Sequence, residues 1–293
     1  MSYQAFQTNR GHSWINSCIC AELSRLIYLS QLFTKAQLKT RHPSVTQVQA
    51  RLQTRLAERR YGVARAQVRY GEAKTRTGDT EFAVVGLDAA VLVVFRGTEA
   101  GDFNSFTKDW IYTNANFGLK RYSNFGQRAK LHGGFLCAAN DSFPQVRRMV
   151  REVMGRDFRP IYCCGHSLGG AVATVTALRL LRQAGQDVRG LYTYGMPRVG
   201  NAAFAGLVNN DIAEKHRWVN RCDPVPNVPL NSLGYIHWGG STYRRIESPS
   251  RVVLRSQKQL SGFETERHAI AEYQDIIMDR MPLDDRRALL AHD

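Results

Sequence analysis

A Gly-x-Ser-x-Gly pattern constrains the fold of this chain more than any other feature of its sequence. Gly165-His-Ser167-Leu-Gly169 stands between the apolar run 161–164 and an apolar-periodic stretch that reaches about residue 183. This order predicts a strand, a sharp turn with the serine at its tip, and a helix. The flanking glycines leave room for strand and helix to approach closely. The N-terminus of that helix would present N–H groups where negative charge develops beside the serine.

Strands and helices alternate along most of the remaining sequence. Strands are predicted at 82–87, 90–95, 161–164, 191–194 and 216–221, and helices at 13–32, 44–60, 132–155, 168–183, 201–209 and 268–278. Pro144 predicts a kink or a restart in the third of these helices. The alternation predicts an α/β fold with a mostly parallel central sheet and helices on both faces. We expect one domain over 1–293, with helices in 13–60 packed on it.

The composition is that of a globular protein with a basic surface. The 293 residues are 43% hydrophobic and carry a formal net charge of +15. No run of 18 apolar residues is present, so no transmembrane segment is predicted. The chain has no zinc-finger, RNP or helix-turn-helix pattern, which argues against a nucleic-acid partner. Attraction to anionic lipid headgroups fits the serine pattern better, with a generally basic surface as the alternative.

The N-terminus and the cysteines bear on the cellular compartment. Residues 1–10 lack the basic and then apolar regions of a secretory signal. The six cysteines show neither a disulfide-framework spacing nor a zinc-ligand spacing, which is typical of reduced thiols. We therefore expect a protein that is cytoplasmic or exported by a non-classical route. The sequence leaves the oligomeric state open.

A serine hydroxyl becomes a strong nucleophile when a base takes its proton and an acid orients that base. In hydrolases with this turn, the acid and then the base follow the serine along the chain. Asp223 ends a predicted strand and precedes three prolines within 224–229. The prolines hold its carboxylate at the carboxyl edge of the sheet, so Asp223 is the predicted acid.

Four histidines after Ser167 are candidates for the base. The charged neighbour Lys215 predicts a surface position for His216, and His292 stands next to the chain terminus. His237 is placed to be structural or to line a pocket. His268 starts a late predicted helix after a loop, a position from which an imidazole reaches the serine turn. We favour His268 and keep His237 as the alternative.

Two further groups complete the predicted site. The oxyanion donors are the backbone N–H of Leu168 and the N–H and hydroxyl of Thr98, which follows an apolar strand. A lid is predicted over about 99–118, because apolar side chains recur there at helical spacing and would cover an apolar cleft. The residues assigned to the lid and to substrate binding are Phe103, Phe106, Trp110 and Ile111. An ordinary packed amphipathic helix is the alternative interpretation of this segment.

Five motifs in this order carry a family resemblance. They are Phe95-Arg-Gly-Thr98, His132-x-Gly-Phe135, Gly165-His-Ser-Leu-Gly-Gly-Ala171, Tyr194-Gly-x-Pro-Arg-Val-Gly-Asn201 and Asp223-Pro-Val-Pro226. Together they resemble the class 3 lipase family, the fungal-type triacylglycerol lipases and their relatives. The resemblance implies an α/β-hydrolase fold with a helical lid after Thr98. It also implies a Ser167–Asp223–His268 triad and an oxyanion hole formed by Thr98 and Leu168.

These observations predict a serine carboxylester hydrolase that acts on lipid esters at a membrane or lipid interface. The chemistry requires no metal and no cofactor. A phospholipase A-type enzyme on anionic membranes and a non-interfacial carboxylesterase are the alternatives. A non-catalytic lipid-binding protein is the least favoured, because the predicted triad is complete.

Overall fold

A seven-stranded sheet forms the centre of the protein. The computed structural model describes residues 6–8, 11–40, 42–58, 63–75, 78–97, 118–220, 223–239, 243–246 and 268–290. In chain order the strands are β1 (Val63–Thr75), β2 (Gly78–Leu87), β3 (Val91–Phe95), β4 (Leu119–Arg121), β5 (Lys130–His132), β6 (Ile161–His166), β7 (Val188–Tyr194), β8 (Glu214–Asn220) and β9 (Tyr243–Ile246). The central sheet has the order β1-β2-β3-β6-β7-β8-β9, and β4 and β5 pair separately.

Strand β2 runs opposite to the other six strands of the central sheet. The β1–β2 and β2–β3 pairs are antiparallel. The pairs from β3 through β6, β7 and β8 to β9 are all parallel. All five residues of β3 and all six of β6 are buried, as expected for strands that are covered on both faces. The prediction of a mostly parallel sheet is confirmed.

Helices cover both faces of this sheet. They are α1 (Trp14–Leu26), α2 (Leu29–Leu32), α3 (Lys35–Thr40), α4 (Val45–Glu58), α5 (Gly133–Met154), α6 (Leu168–Ala184), α7 (Ala202–Asp211), α8 (Ile270–Arg280) and α9 (Leu283–Leu290). Apolar residues of α1, α4 and α8 form a core on one face. Residues of α5, α6 and α7 form a second core on the other face. Both faces of the sheet are therefore covered, whereas the ends of its strands are not covered by these two cores.

The N-terminal helices follow from simple local signals. Ser13 caps α1 by accepting a hydrogen bond from the N–H of Asn16. In α4 the buried side chains are Val48, Leu52 and Leu56, spaced four residues apart on one helix face. The end of α1 places Tyr28, which is buried, above the carboxyl end of β6, where it contacts His166.

Several predicted elements differ from the structure. The helix predicted over 13–32 is divided into α1 and α2. Helix α5 runs without interruption through Pro144, which is exposed, and burial of its opposite face offsets the lost hydrogen bond. His216 was predicted at the surface and is instead buried within β8.

Candidate active site

The serine lies on a strained turn between β6 and α6. Ser167 has φ 56° and ψ −130°, and it is the one non-glycine residue with positive φ in the described part of the chain. A side chain on Gly165 would overlap the backbone of Gly169, and one on Gly169 would overlap the carbonyl of Phe95. Only glycine at these two positions lets strand, turn and helix come this close.

One of the two predicted oxyanion donors, Leu168, directly follows the serine in the described structure. Leu168 is the first residue of α6, and the first four N–H groups of a helix have no partner within it. Thr98 lies outside the described residues, as do Phe103, Phe106, Trp110 and Ile111 of the predicted lid. Gly97, which precedes Thr98, lies against the turn: a Cβ there would be 3.1 Å from the Cβ of Ser167.

Asp223 and His268 form a buried pair. The Nδ1 atom of His268 lies 2.7 Å from Oδ2 of Asp223, and both side chains are excluded from solvent. The backbone N–H of Val225 donates to Oδ1 of Asp223 over 2.9 Å. Because the carboxylate accepts a hydrogen bond from Nδ1–H, the neutral imidazole keeps Nε2 as its proton acceptor. This is the arrangement that general-base catalysis requires.

Tyr273 contacts the same carboxylate and was not predicted from the sequence. Its hydroxyl donates to Oδ2 of Asp223 over 2.6 Å and accepts from the N–H of Asn220 over 3.0 Å. The hydroxyl thereby ties α8 to the end of β8 and supports the acid from a second direction. Its position five residues after His268, on the buried face of a helix, is a signal that sequence reasoning had available.

His166 connects the serine turn to the backbone of His268. Its Nε2 lies 2.6 Å from the carbonyl oxygen of His268, and its Nδ1 lies 2.8 Å from the Tyr28 hydroxyl. A carbonyl only accepts, so Nε2 carries the proton and Nδ1 accepts from Tyr28. Burial, and next the nearby His268, hold the pKa of His166 well below its ordinary value, so this ring is neutral.

Ser167 and the Asp–His pair meet at the end of β7. The N–H of Ser167 donates to the carbonyl of Tyr194 over 2.9 Å. The next residue, Gly195, has φ +57°, and a Cβ there would lie 2.7 Å from Oδ2 of Asp223 and 2.9 Å from ring atoms of His268. Among the described residues, no group hydrogen-bonds the buried Ser167 Oγ. The end of β7 therefore contacts both Ser167 and the Asp223–His268 pair.

His237, the alternative base, is hydrogen-bonded to the backbone of the loop that follows Asp223. Its Nε2 lies 2.7 Å from the carbonyl oxygen of Pro226 and donates to it. Burial, and next the charge of Arg217, lower the pKa of His237 to about 3. The carboxylate of Asp223 meets His268, not His237, within the described residues.

Residues 92–233 match the family model described as Lipase (class 3). Nearly half of the chain therefore resembles the class 3 lipase family. Its relatives include secreted mono- and diacylglycerol lipase 1 of Fusarium solani, which is 39% identical over 133 residues, 44% of this chain and 38% of that protein. Secreted mono- and diacylglycerol lipase A of Penicillium cyclopium is 34% identical over 194 residues, 64% of this chain and 59% of that protein.

Solved structures show that the chain has the α/β-hydrolase fold. A propeptide complex of Rhizomucor miehei lipase is 24% identical with a TM-score of 0.56, covering 82% of this chain and 69% of that one. Lipase II from Rhizopus niveus is 22% identical with a TM-score of 0.54, covering 82% of each chain. The chain spans less than two thirds of the length of the curated relatives named above.

The relatives correct one expectation. Three of them are named as secreted lipases, which indicates export, so the expectation of a cytoplasmic protein was wrong. That expectation rested on the composition of the first ten residues. It also rested on reduced thiols, yet Cys18, Cys20, Cys163 and Cys164 are buried, where an oxidant has poor access. None of the helices that the structure describes is long and apolar enough to span a bilayer.

Proposed function

We propose that this chain belongs to the class 3 lipase family and is a serine carboxylester hydrolase that acts on lipid esters, with acylglycerols as the substrate class. The observation that carries the proposal is the buried Asp223–His268 pair beside Ser167 on its strained turn. A carboxylate, an imidazole and a serine in this arrangement perform acyl transfer in unrelated folds. The relatives named as mono- and diacylglycerol lipases support the substrate class.

In the acylation step, Oγ of Ser167 attacks the ester carbonyl carbon while Nε2 of His268 takes the hydroxyl proton. Asp223 stabilises the imidazolium through the hydrogen bond at Nδ1. The N–H of Leu168 and the N–H and hydroxyl of Thr98 bind the negative oxygen of the tetrahedral intermediate. The C–O bond to the alcohol then breaks, and His268 gives its proton to the leaving alkoxide.

In the deacylation step, water takes the place of the alcohol. His268 accepts a proton from the water as its oxygen attacks the acyl-enzyme carbonyl. The bond to Oγ of Ser167 breaks, and the imidazolium returns the proton to the serine. A fatty acid leaves, and the enzyme is restored without any other reactant.

The central test compares Ser167→Ala with Ser142→Ala. Ser142 is a matched control because it is also a buried serine, and it lies within α5 with its hydroxyl bonded to the carbonyl of Ala138. We expect Ser167→Ala to lower hydrolysis of a tributyrin emulsion by about 10⁴-fold or more. Hydrolysis by Ser142→Ala should stay within about tenfold of wild type. Substantial turnover by Ser167→Ala would overturn the proposal.

A phospholipase A-type activity on anionic membranes is the second candidate, favoured by the net charge of +15. Faster hydrolysis of phosphatidylglycerol vesicles than of tributyrin, lost at high salt, would favour it. A short p-nitrophenyl ester hydrolysed at equal rates with and without an interface would instead identify a non-interfacial carboxylesterase.

A further inference from the structure

Three large apolar side chains are exposed within residues 230–236, a segment that follows Asp223 in the chain. They are Leu230, Leu233 and Ile236, which are 57%, 55% and 40% exposed. The segment turns at Gly234, with φ +84°. Leu119 lies close by, because a Cβ on Gly234 would be 3.5 Å from its Cδ1 atom. Exposed apolar side chains that cluster in this way mark interaction sites more often than single ones do.

Cations border this apolar cluster. Lys120 and Arg121 follow Leu119 directly in β4, and both are exposed. Strand β4 pairs with β5, whose Leu131 bridges to Gly200, and Gly200 bridges in turn to Ile236. The exposed cations and the exposed apolar residues therefore belong to one continuous surface.

Acidic residues are nearly absent from the two described segments that carry this surface, 118–132 and 223–239. Residues 118–132 contain Lys120, Arg121, Arg128 and Lys130, and this sequence has no Asp or Glu. The one acid in 223–239 is Asp223, which is buried against His268. Within the described residues, Lys120, Arg121 and Arg128 make no ion pair. The cations are therefore available to an external anion.

We infer that Leu230, Leu233, Ile236, Lys120 and Arg121 form a docking surface for an anionic lipid bilayer. An apolar centre enters the acyl boundary of a membrane, and flanking cations bind the headgroups. The apolar segment begins seven residues after Asp223 of the candidate site in the chain. The inference rests on the proposed function, because the bilayer would supply the lipid ester that the enzyme hydrolyses.

The test uses sedimentation with vesicles in a Ser167→Ala background, so that the lipid is not consumed. Vesicles of phosphatidylcholine are prepared with and without phosphatidylglycerol. We expect Leu230→Ser/Leu233→Ser to lower partitioning by about tenfold, because the area buried in lipid is lost. We expect Lys120→Gln/Arg121→Gln to lower partitioning by about tenfold on the anionic vesicles only.

Matched control variants come from the opposite end of the molecule. Phe158 is 101% exposed and lies between α5 and β6, at the amino ends of the parallel strands. Arg147 and Arg148 are exposed on α5. Phe158→Ser and Arg147→Gln/Arg148→Gln should bind both vesicle types as the parent does. Thermal unfolding midpoints of all variants show whether a loss of binding reflects a loss of folding.

Three outcomes overturn the inference. The first is docking-surface variants that bind anionic vesicles as well as the parent does while remaining folded. The second is an equal loss in the control variants. The third is a change in sedimentation coefficient without vesicles in Leu230→Ser/Leu233→Ser, which would assign the surface to a second copy of the chain. Hydrolysis of a dissolved p-nitrophenyl ester by wild type tests the proposed function separately.

Discussion

The Nε2 atom of His166 donates a hydrogen bond of 2.6 Å to the backbone carbonyl oxygen of His268. The imidazole rings of the two residues also contact each other, with centroids 4.5 Å apart and planes inclined by 37°. The residue before the proposed nucleophile therefore holds the residue proposed as its base. Tyr28 fixes the other nitrogen of His166, so the N-terminal helices contribute to the geometry of the site. We interpret His166 as a positioning residue for His268.

Replacement of His166 should lower activity most when the new side chain cannot donate a hydrogen bond to the His268 carbonyl. His166→Leu removes the donor at Nε2, whereas His166→Gln keeps an amide donor at a similar reach. We expect kcat/KM to fall by about 100-fold for the leucine and by less for the glutamine, since small displacements of a base are costly. The acid limb of the pH–rate profile should also move, which a purely structural defect would not cause. Equal losses in both variants with an unchanged profile would contradict this role.

The lowered pKa of His166 predicts a loss of stability in acid. Above pH 6.5, the ordinary value, the ring is neutral in both folded and unfolded chains. Below it, the unfolded chain binds a proton that the folded chain does not. The free energy of unfolding should then fall by about 1.4 kcal/mol per pH unit from this residue. Urea unfolding of wild type and His166→Gln over this range measures the difference, and parallel slopes would contradict it.

Tyr273→Phe should weaken the support of Asp223. The substitution removes a donor to Oδ2 and leaves the buried N–H of Asn220 without this acceptor, at a cost of about 1–3 kcal/mol. Because Asp223 then has one donor fewer, its hydrogen bond to His268 should change, and the acid limb of kcat/KM should shift. Tyr162→Phe is the matched control, because no described group hydrogen-bonds the buried Tyr162 hydroxyl. A profile unchanged in Tyr273→Phe would rule out this support.

Local sequence signals predicted the nucleophile turn but not its supports. The spacing of Gly165, Ser167 and Gly169 is readable because the close approach involves consecutive residues. Tyr28 and Tyr273 reach the site from positions far apart in the chain, and their roles depend on how α1 and α8 pack. Such contacts leave no periodic pattern. Sequence reasoning therefore named the residues that we propose to react and missed Tyr28 and Tyr273, which contact them or their neighbours.

The edges of the sheet were harder to predict than its centre. Strands β3 and β6 are apolar throughout because both of their faces are covered. Strand β1 alternates small, polar and charged residues, and β9 is Tyr-Arg-Arg-Ile, so neither has the apolar run that indicates a buried strand. Tertiary pairing, not local propensity, sets these edge strands.

Two glycines in helices should respond to alanine in opposite directions. A Cβ on Gly169 would overlap the carbonyl of Phe95, a backbone atom that cannot turn aside. Gly169→Ala should cost several kcal/mol or prevent folding. Gly206 in α7 has no atom within 4 Å of such a Cβ, so Gly206→Ala should stabilise by about 0.5–1 kcal/mol. Thermal and urea unfolding measure both effects, and a tolerated Gly169→Ala would contradict the close packing of the turn.

Two asparagine variants distinguish between His268 and His237 as the general base. His268→Asn removes the acceptor that takes the proton of Ser167, so kcat should fall by about 10⁴-fold or more. His237→Asn removes the bond to the Pro226 carbonyl and should act mainly on stability, leaving kcat within about tenfold of wild type. A group whose pKa is about 3 is also too weak a base to activate a serine near neutral pH. Hydrolysis of a dissolved p-nitrophenyl ester by the folded variants gives the comparison, and a larger loss in His237→Asn would move the assignment to that residue.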